Sequence, residues 1–285
     1  MEFSAEHATL VSGILAEAAR TEVMPRFKAL GDGAVRHKTS IFDPVSDADE
    51  AAERVISTAL RTAFPDALIV GEEATAADPA LLDRVGDAPL VFVVDPIDGT
   101  RNFVAGLPLF GVMAAAIVQG EIVLGVIHDP ICRDTAWAVK GQGAWLSRED
   151  RDPLRLHVAA PAPLARMEAI AGTHYLPEPL RQTVLSNLPK LGSSTWLRCS
   201  AHEYRLAAGG FCHALFYNRL MPWDHAAGWL LHQEAGGYSA HFDGSQYVPA
   251  HTSGGLICAP DRESWQAVRD GLFAEKAGAA VPNHS

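Results

Sequence analysis

Helices and strands interspersed along the whole chain predict a mixed fold, α/β or α+β, and chain order alone does not separate the two. Three observations carry this. Two stretches near the N-terminus place apolar residues at helical spacing. Short apolar runs open abruptly into acidic or glycine-containing turns, as strand ends do. Paired apolar runs separated by Gln119-Gly120 and by Gly141-Gln142-Gly143 read as antiparallel hairpins.

Taken in order, residues 4 to about 30 carry Leu10, Val11, Ile14, Leu15 and Ala18 on one helical face, and Gly31-Asp32-Gly33 stops the helix. A second helix is expected from Ser46 or Asp47 through Val55, Ile56, Leu60 and Phe64, ending before Pro65. Asp47, Asp49 and Glu50 sit in its first turn, where the helix dipole favours negative charge. Ala67 to Val70 reads as a strand opening into Gly71-Glu72-Glu73, and Leu90 to Val94 as one opening into Asp95-Pro96-Ile97-Asp98-Gly99-Thr100. Residues 111–118 and 121–128 form the first hairpin, and Trp137 to Leu146 the second.

A composition shift near 150–163 divides the chain into a first half, 1–155, and a second, 156–285, packed as one unit of 285 residues. In the second half, Ala169 to Ala171 and Ala214 to Tyr217 read as strands, 177–187 and 201–209 as helices. A further helix runs from Asp224 through His232 to the Gly236-Gly237 cap. The tail after about 275 is rich in Ala, Gly and Pro.

Composition narrows the function classes. Hydrophobic residues at 48% and charged residues at 20% are ordinary for a globular protein. No run approaches the roughly 20 apolar residues that span a bilayer, and the N-terminus lacks a basic leader, so a cytoplasmic protein without a membrane partner is expected. A net charge of −11 argues against a nucleic acid polymer as partner. The four cysteines are scattered without CxxC spacing and read as buried free thiols. Walker, GxSxG and GxGxxG patterns are absent, so kinase, serine hydrolase and dinucleotide readings lack support.

The carboxylates concentrate at element ends. Glu72 and Glu73 follow one strand, Asp95 and Asp98 follow another, and Asp224 starts a helix. Taken singly, each has a plain reading: a capped turn, a solvated pair, a helix cap. Together they describe a shared crevice. Pro96 holds Asp95 and Asp98 at a set separation, and the Ile97 carbonyl is expected past the last ladder bond as a hard oxygen ligand. Gly99 allows close backbone approach, and the N–H groups of Gly99 and Thr100 face an anion. All-oxygen donors of this kind suit Mg²⁺ or Mn²⁺, and cations would relieve the repulsion among the acids.

The run Val94-Asp95-Pro96-Ile97-Asp98-Gly99-Thr100-Arg101-Asn102-Phe103-Val104 resembles the first signature of the inositol monophosphatase family, within the lithium-sensitive, Mg²⁺-dependent phosphatases. Trp223-Asp224-His225-Ala226-Ala227-Gly228 with Glu234-Ala235-Gly236-Gly237 resembles the second. Gly71-Glu72-Glu73 and Asp43-Pro44-Val45-Ser46-Asp47-Ala48-Asp49 match two further segments in family order, so the likeness covers about residues 38 to 237.

The resemblance implies a layered αβαβα sandwich of the inositol monophosphatase/fructose-1,6-bisphosphatase type, paired as a homodimer. It implies Mg²⁺-dependent hydrolysis of a small phosphomonoester: an inositol, sugar or polyol phosphate. Other members of the wider group act on 3′-phosphoadenosine 5′-phosphate or histidinol phosphate, and a catalytically idle metal- and phosphate-binding protein is the rival from another class. By the same resemblance, Glu72, Asp95 and the Ile97 carbonyl hold one metal, and Asp95, Asp98 and Asp224 a second; a third, weaker one lies near Glu72. Asp49, Thr100 and Glu72 orient and activate water, and Asp98, Gly99, Thr100, Ser200, Tyr217 and Asp224 fall where substrate is contacted.

Departures from the pattern concentrate on the substrate side: Ala105, Cys199 before Ser200-Ala201, His213, Tyr217 in place of a sugar-binding acid, and His232 in a usually apolar place. His225 and His232, seven apart on one helix, read as packing or surface residues. His213, Tyr217, Asn218 and Arg219 are open between specificity and packing.

Overall fold

The computed structural model describes residues 2–31, 35–37 and 44–274. Asp32, Gly33, Asp43 and the tail from 275 lie outside the described residues.

Helix α1 (Ala5–Ala18) continues as a π-helical turn (Ala19–Val23) and a 3-10 turn (Met24–Arg26), so the expected single helix changes pitch twice before it ends. Val11, Leu15 and Ala18 are buried, whereas Leu10 points outward. A short ladder, β1 (Val35–His37) with β2 (Pro44–Ser46), leads into α2 (Asp47–Ala63), whose N-cap is Ser46 as expected. Strand β3 (Leu68–Gly71) is followed at once by α3 (Glu72–Ala77), a helix that the sequence reading did not include.

Strand β4 spans Leu90–Asp98, four residues beyond its expected end. Asp95 still faces Met113 and Asp98 faces Gly111, but the register shifts between them. Pro96 and Ile97 therefore form a bulge. The Ile97 carbonyl is freed by a bulge inside the strand rather than by the strand's termination. After α4 (Thr100–Val104), strands β5 (Gly111–Val118), β6 (Glu121–Asp129), β7 (Asp134–Val139), β8 (Gly143–Arg148) and β9 (Arg151–Arg155) form an antiparallel meander. With β3 parallel to β4 they make a seven-stranded sheet in the order β3-β4-β5-β6-β7-β8-β9.

The later chain supplies β10 (Glu168–Ala171), α5 (Leu180–Asn187), β11 (Ser193–Thr195), α6 (Ser200–Ala208), β12 (Ala214–Tyr217), α7 (Pro222–Glu234), β13 (Tyr238–Ala240), β14 (Leu256–Ala259) and α8 (Arg262–Val268). The five strands pair as β11-β10-β12-β14-β13. Helix α7 begins at Pro222, two residues before its expected start, because proline fits the first helical position.

Strand alternation explains the layering. Phe92 and Val94 of β4 face α1 and α2, while Val91 and Val93 face α6 and α7. Leu215 and Cys258 face the same two helices from the five-stranded sheet, and Phe216 and Ile257 face α5 and α8. The result is five layers, αβαβα, with α6 and α7 shared between the sheets. Two glycines allow this close approach. A Cβ on Gly125 would lie 2.6 Å from the Ala227 carbonyl oxygen, and one on Gly228 would lie 2.0 Å from the Tyr204 ring. At the far end of α7, the Glu234 carboxylate accepts hydrogen bonds from Gly141 N and Gly143 N, pinning the β7–β8 turn to the helix. Helix α7 is thereby fixed lengthwise, with Asp224 in its first turn.

Candidate metal and phosphate site

Carboxylate oxygens of Asp95, Asp98 and Asp224 lie within 4.8 Å of one another. Two arrive on the bulged end of β4 and the third on α7, which the shared helix layer lays across that strand end. At 4.8 Å, two unit charges repel by about 3 kcal/mol at an effective dielectric near 20. Burial adds to this. Desolvation first, then the charges of Glu72, Asp98 and Asp224, pushes the Asp95 carboxyl well above the usual carboxylate range. Desolvation and then Glu72 and Asp98 do the same to Asp224, which lies close enough to hydrogen-bond Asp95. Asp98 is raised mainly by desolvation, opposed by hydrogen bonds from Cys199, Ala201 N (2.6 Å) and Ser200. As bare carboxylates these three groups destabilise the fold; as ligands of a dication they do not.

Glu72 borders the same cavity, together with Asp95, Ile97, Gly99, Thr100 and Arg101. It opens α3, and α3 is oriented from α2: the Glu53 carboxylate accepts from Glu73 N (2.7 Å) and Ala74 N (2.9 Å). Gly71 leaves room for that contact, since a Cβ there would sit 2.2 Å from the Glu53 carboxyl carbon. Glu53 was missed by the sequence reading; its only hint was a glycine placed before a glutamate pair.

Asp49 is buried, and its Oδ2 accepts from Ser46 N (2.9 Å) and Ser46 Oγ (2.6 Å), which closes the capping box of α2. Its Oδ1 lies 3.2 Å from Thr100 Oγ1, which is also 2.9 Å from the Ile97 carbonyl oxygen. Residues 49 and 100, far apart in sequence, are thus brought together beside the acids. Gly99 adopts φ +88°, and a Cβ would lie 3.0 Å from the Leu109 carbonyl oxygen, so both its conformation and its surroundings require glycine. Ser200 Oγ sits between Asp98 Oδ1 (3.0 Å) and the Asp224 carbonyl (2.8 Å), joining β4 to α7.

Next to the acids a cleft of ≈ 160 Å³ is bordered by Tyr217, Asn218 and Arg219 and by His174, Tyr175 and Trp196. The last three were not anticipated. His213, by contrast, does not border it; its Nδ1 accepts from Glu168 N at the end of β10. His225 and His232 are buried, and burial pushes both down to about 4, which keeps them neutral. His225 Nε2 donates to the Arg219 carbonyl (2.9 Å), so its Nδ1 accepts from Tyr204 Oη (3.1 Å). Three cysteines are buried as expected, and Cys132 is exposed.

Glu203, also missed, is buried on α6 and accepts from Leu197 N (3.0 Å). Burial pushes its carboxyl up from 4.5 to about 7. A raised carboxyl opposes folding as it ionises, so its contribution is favourable below 4.5 and is lost as pH rises towards about 7. Glu203→Gln keeps an acceptor for Leu197 and is expected to stabilise the protein by about 1–3 kcal/mol at mildly alkaline pH. Urea unfolding at a series of pH values should show a flatter profile through that window; an unchanged slope would contradict the assignment.

Known proteins resemble this chain in sequence and in fold. The family profile described as "Inositol monophosphatase family" matches residues 5–278. The chain is 32% identical over 213 residues to the fructose-1,6-bisphosphatase/inositol-1-monophosphatase of Thermotoga maritima, covering 74% of this chain and 77% of that protein. It is 34% identical over 239 residues to the histidinol-phosphatase of Streptomyces coelicolor, covering 81% and 85%. The crystal structure of extragenic suppressor protein suhB from Bartonella henselae superposes with a TM-score of 0.81 at 27% identity, over 94% of this chain and 98% of that one. A match over nearly the whole length, on the five-layer fold and with both signatures at one acidic cavity, leaves one assignment: the chain belongs to the inositol monophosphatase family.

Proposed function

We propose that this protein is a Mg²⁺-dependent phosphatase that hydrolyses a small phosphomonoester, with Mn²⁺ as an alternative ion. The observation that carries the reading is the convergence of Asp95, Asp98 and Asp224 within 4.8 Å, in surroundings that penalise their charge. The donors fit hard divalent cations: Glu72, Asp95 and the Ile97 carbonyl for one, and Asp95, Asp98 and Asp224 for a second; a third, weaker one near Glu72 rests on the family resemblance alone. When bound, such cations supply Lewis acidity and neutralise phosphoryl charge.

The chain's own groups do the rest. Asp49, locked by Ser46, accepts the Thr100 hydroxyl proton; the hydroxyl oxygen can then accept from an incoming water, which Glu72 also orients. The N–H groups of Gly99 and Thr100 have no partner within α4, since they open the helix, and they serve the phosphate oxygens. Asp98 and Asp224 border the cleft beside the acids, where the alcohol portion of the ester lies.

The family names phosphatase activity first and a specific ester second: inositol, sugar and polyol phosphates, with nucleotide and histidinol esters as alternatives. We place the protein in the cytoplasm as a homodimer of units in which both halves, 1–155 and 156–285, complete the site. Among the described residues no helix is long and apolar enough to cross a membrane. The test is phosphate release with Mg²⁺ across inositol, sugar, glycerol, nucleotide and histidinol esters. Release from at least one supports hydrolysis; none from any returns the idle metal-binding alternative.

A further inference from the structure

The cleft beside the acids has a chemistry of its own. Trp196 and Arg198 flank Leu197, whose N–H donates to the buried Glu203 (3.0 Å) and whose carbonyl accepts from the buried Asn102 Nδ2 (2.8 Å). Leu197 is thus clamped on both sides, and Arg198 is held at φ +60°, a left-handed conformation that an arginine rarely adopts. Strain of this kind persists only where the surroundings over-determine it, and it concentrates at ligand clamps.

Facing this segment, Tyr175 is anchored by Asn218 Nδ2, which donates to its carbonyl (2.8 Å). His174 stacks on Trp196 with ring centroids 5.6 Å apart and planes 21° apart. Trp196 and Tyr175 are nevertheless 38% and 48% exposed, although His174 covers one face of Trp196, and both border the cavity. The Arg219 guanidinium lies 5.9 Å from the Tyr175 ring centre. Arg198, Arg219 and Arg101 border both the acid cavity and the cleft. Among the described residues neither Arg198 nor Arg219 forms an ion pair, in a chain whose net charge is −11.

These features discriminate among alcohols. A polyol needs several partners for its hydroxyl groups, yet among the described residues the carboxylates bordering the cleft are Asp98 and Asp224, the proposed cation ligands, and the Ser200 hydroxyl is already engaged, which leaves the Tyr217 hydroxyl as the unpaired group deep in the cleft. An amino alcohol would bring a positive charge against guanidinium groups, with no further carboxylate among the described residues of the cleft lining to receive it. Exposed aromatic rings take a planar ring by stacking, and guanidinium groups take phosphate oxygens in pairs.

Resting on the phosphatase reading, we propose that this cleft selects a nucleoside phosphate carrying a second phosphate group, its base against Trp196 and Tyr175 and its second phosphate on Arg198 and Arg219. In the reaction a water oxygen bonds the scissile phosphorus and the ester P–O bond breaks. The water proton passes to the leaving alkoxide, giving a nucleoside monophosphate and inorganic phosphate.

The test compares kcat/KM in Mg²⁺ for adenosine 3′,5′-bisphosphate, adenosine 3′-monophosphate, inositol 1-phosphate, histidinol phosphate and glycerol 2-phosphate. The bisphosphate should exceed the inositol and histidinol esters by about tenfold or more, the scale of one aromatic stacking contact. Trp196→Ala should lower the ratio of bisphosphate to glycerol 2-phosphate by about tenfold. Arg219→Gln should lower the ratio of bisphosphate to adenosine 3′-monophosphate. Ratios taken within one variant cancel any loss of folded protein. Inositol or histidinol ester leading the series, or a Trp196→Ala ratio equal to that of the wild type, overturns the cleft assignment while leaving hydrolysis in place. Release from none of the five overturns both.

Discussion

Asp95→Asn is expected to lower Mg²⁺-dependent phosphate release by on the order of 10³-fold, since it weakens two proposed cation positions at once and each carries several kcal/mol of transition-state stabilisation. The same substitution should raise the thermal stability of the metal-free protein. Asp95 is buried, with its carboxyl pushed well above the usual range by desolvation and by Glu72, Asp98 and Asp224, so removing its charge removes a cost. Its bond from Ile97 N (3.0 Å) survives, because an asparagine oxygen accepts in the same place. Activity and stability moving in opposite directions mark a functional group held at a structural cost. Near wild-type turnover, or a less stable metal-free protein, would count against Asp95 as a shared ligand.

Chelation should be the second large effect. Stripped of divalent cations, the protein is expected to lose phosphatase activity entirely and regain it with Mg²⁺. Its melting temperature should rise on adding Mg²⁺, by more at about pH 8 than at about pH 6, because ions displace protons from carboxyls whose affinity for protons is raised. The sign follows from Asp95, Asp98 and Asp224, all shifted upward: their ionisation opposes folding as pH rises, and the ions offset it. Calorimetric melts at both pH values read this directly, and a gain that shrinks with pH would contradict it.

The acids were legible in the sequence for a local reason. Asp95 and Asp98 lie on one hexad with proline between them, Glu72 follows an apolar strand and Asp224 starts a helix, so neighbouring residues alone suggested a crevice. The strand's continuation to Asp98 was not legible, because proline ordinarily ends a strand, and only pairing with Gly111 across a bulge carries it on. Helix α3 was hidden for a similar reason: its start depends on Glu53, nearly twenty residues upstream on α2. Strands β13 and β14 are short, and their partners are distant in sequence. The aromatic and basic cleft was missed because its members come from three loops. Trp196, Tyr175 and Arg219 share no periodicity; the clamp on Leu197 by Asn102 and Glu203 holds the first, and the bond from Asn218 to the Tyr175 carbonyl ties the loops of the other two.

Counting bound ions puts the whole assignment at risk in one step. Protein stripped of metal would be titrated with Mn²⁺, the free ion followed by its paramagnetic resonance signal, alongside Asp95→Asn. Two ions per chain in the wild type, with a third binding more weakly, and a clear loss in the variant are the expected result. A wild-type chain that leaves all Mn²⁺ free at millimolar concentration, yet still releases phosphate, would mean that these clustered carboxylates serve something other than metal-assisted hydrolysis.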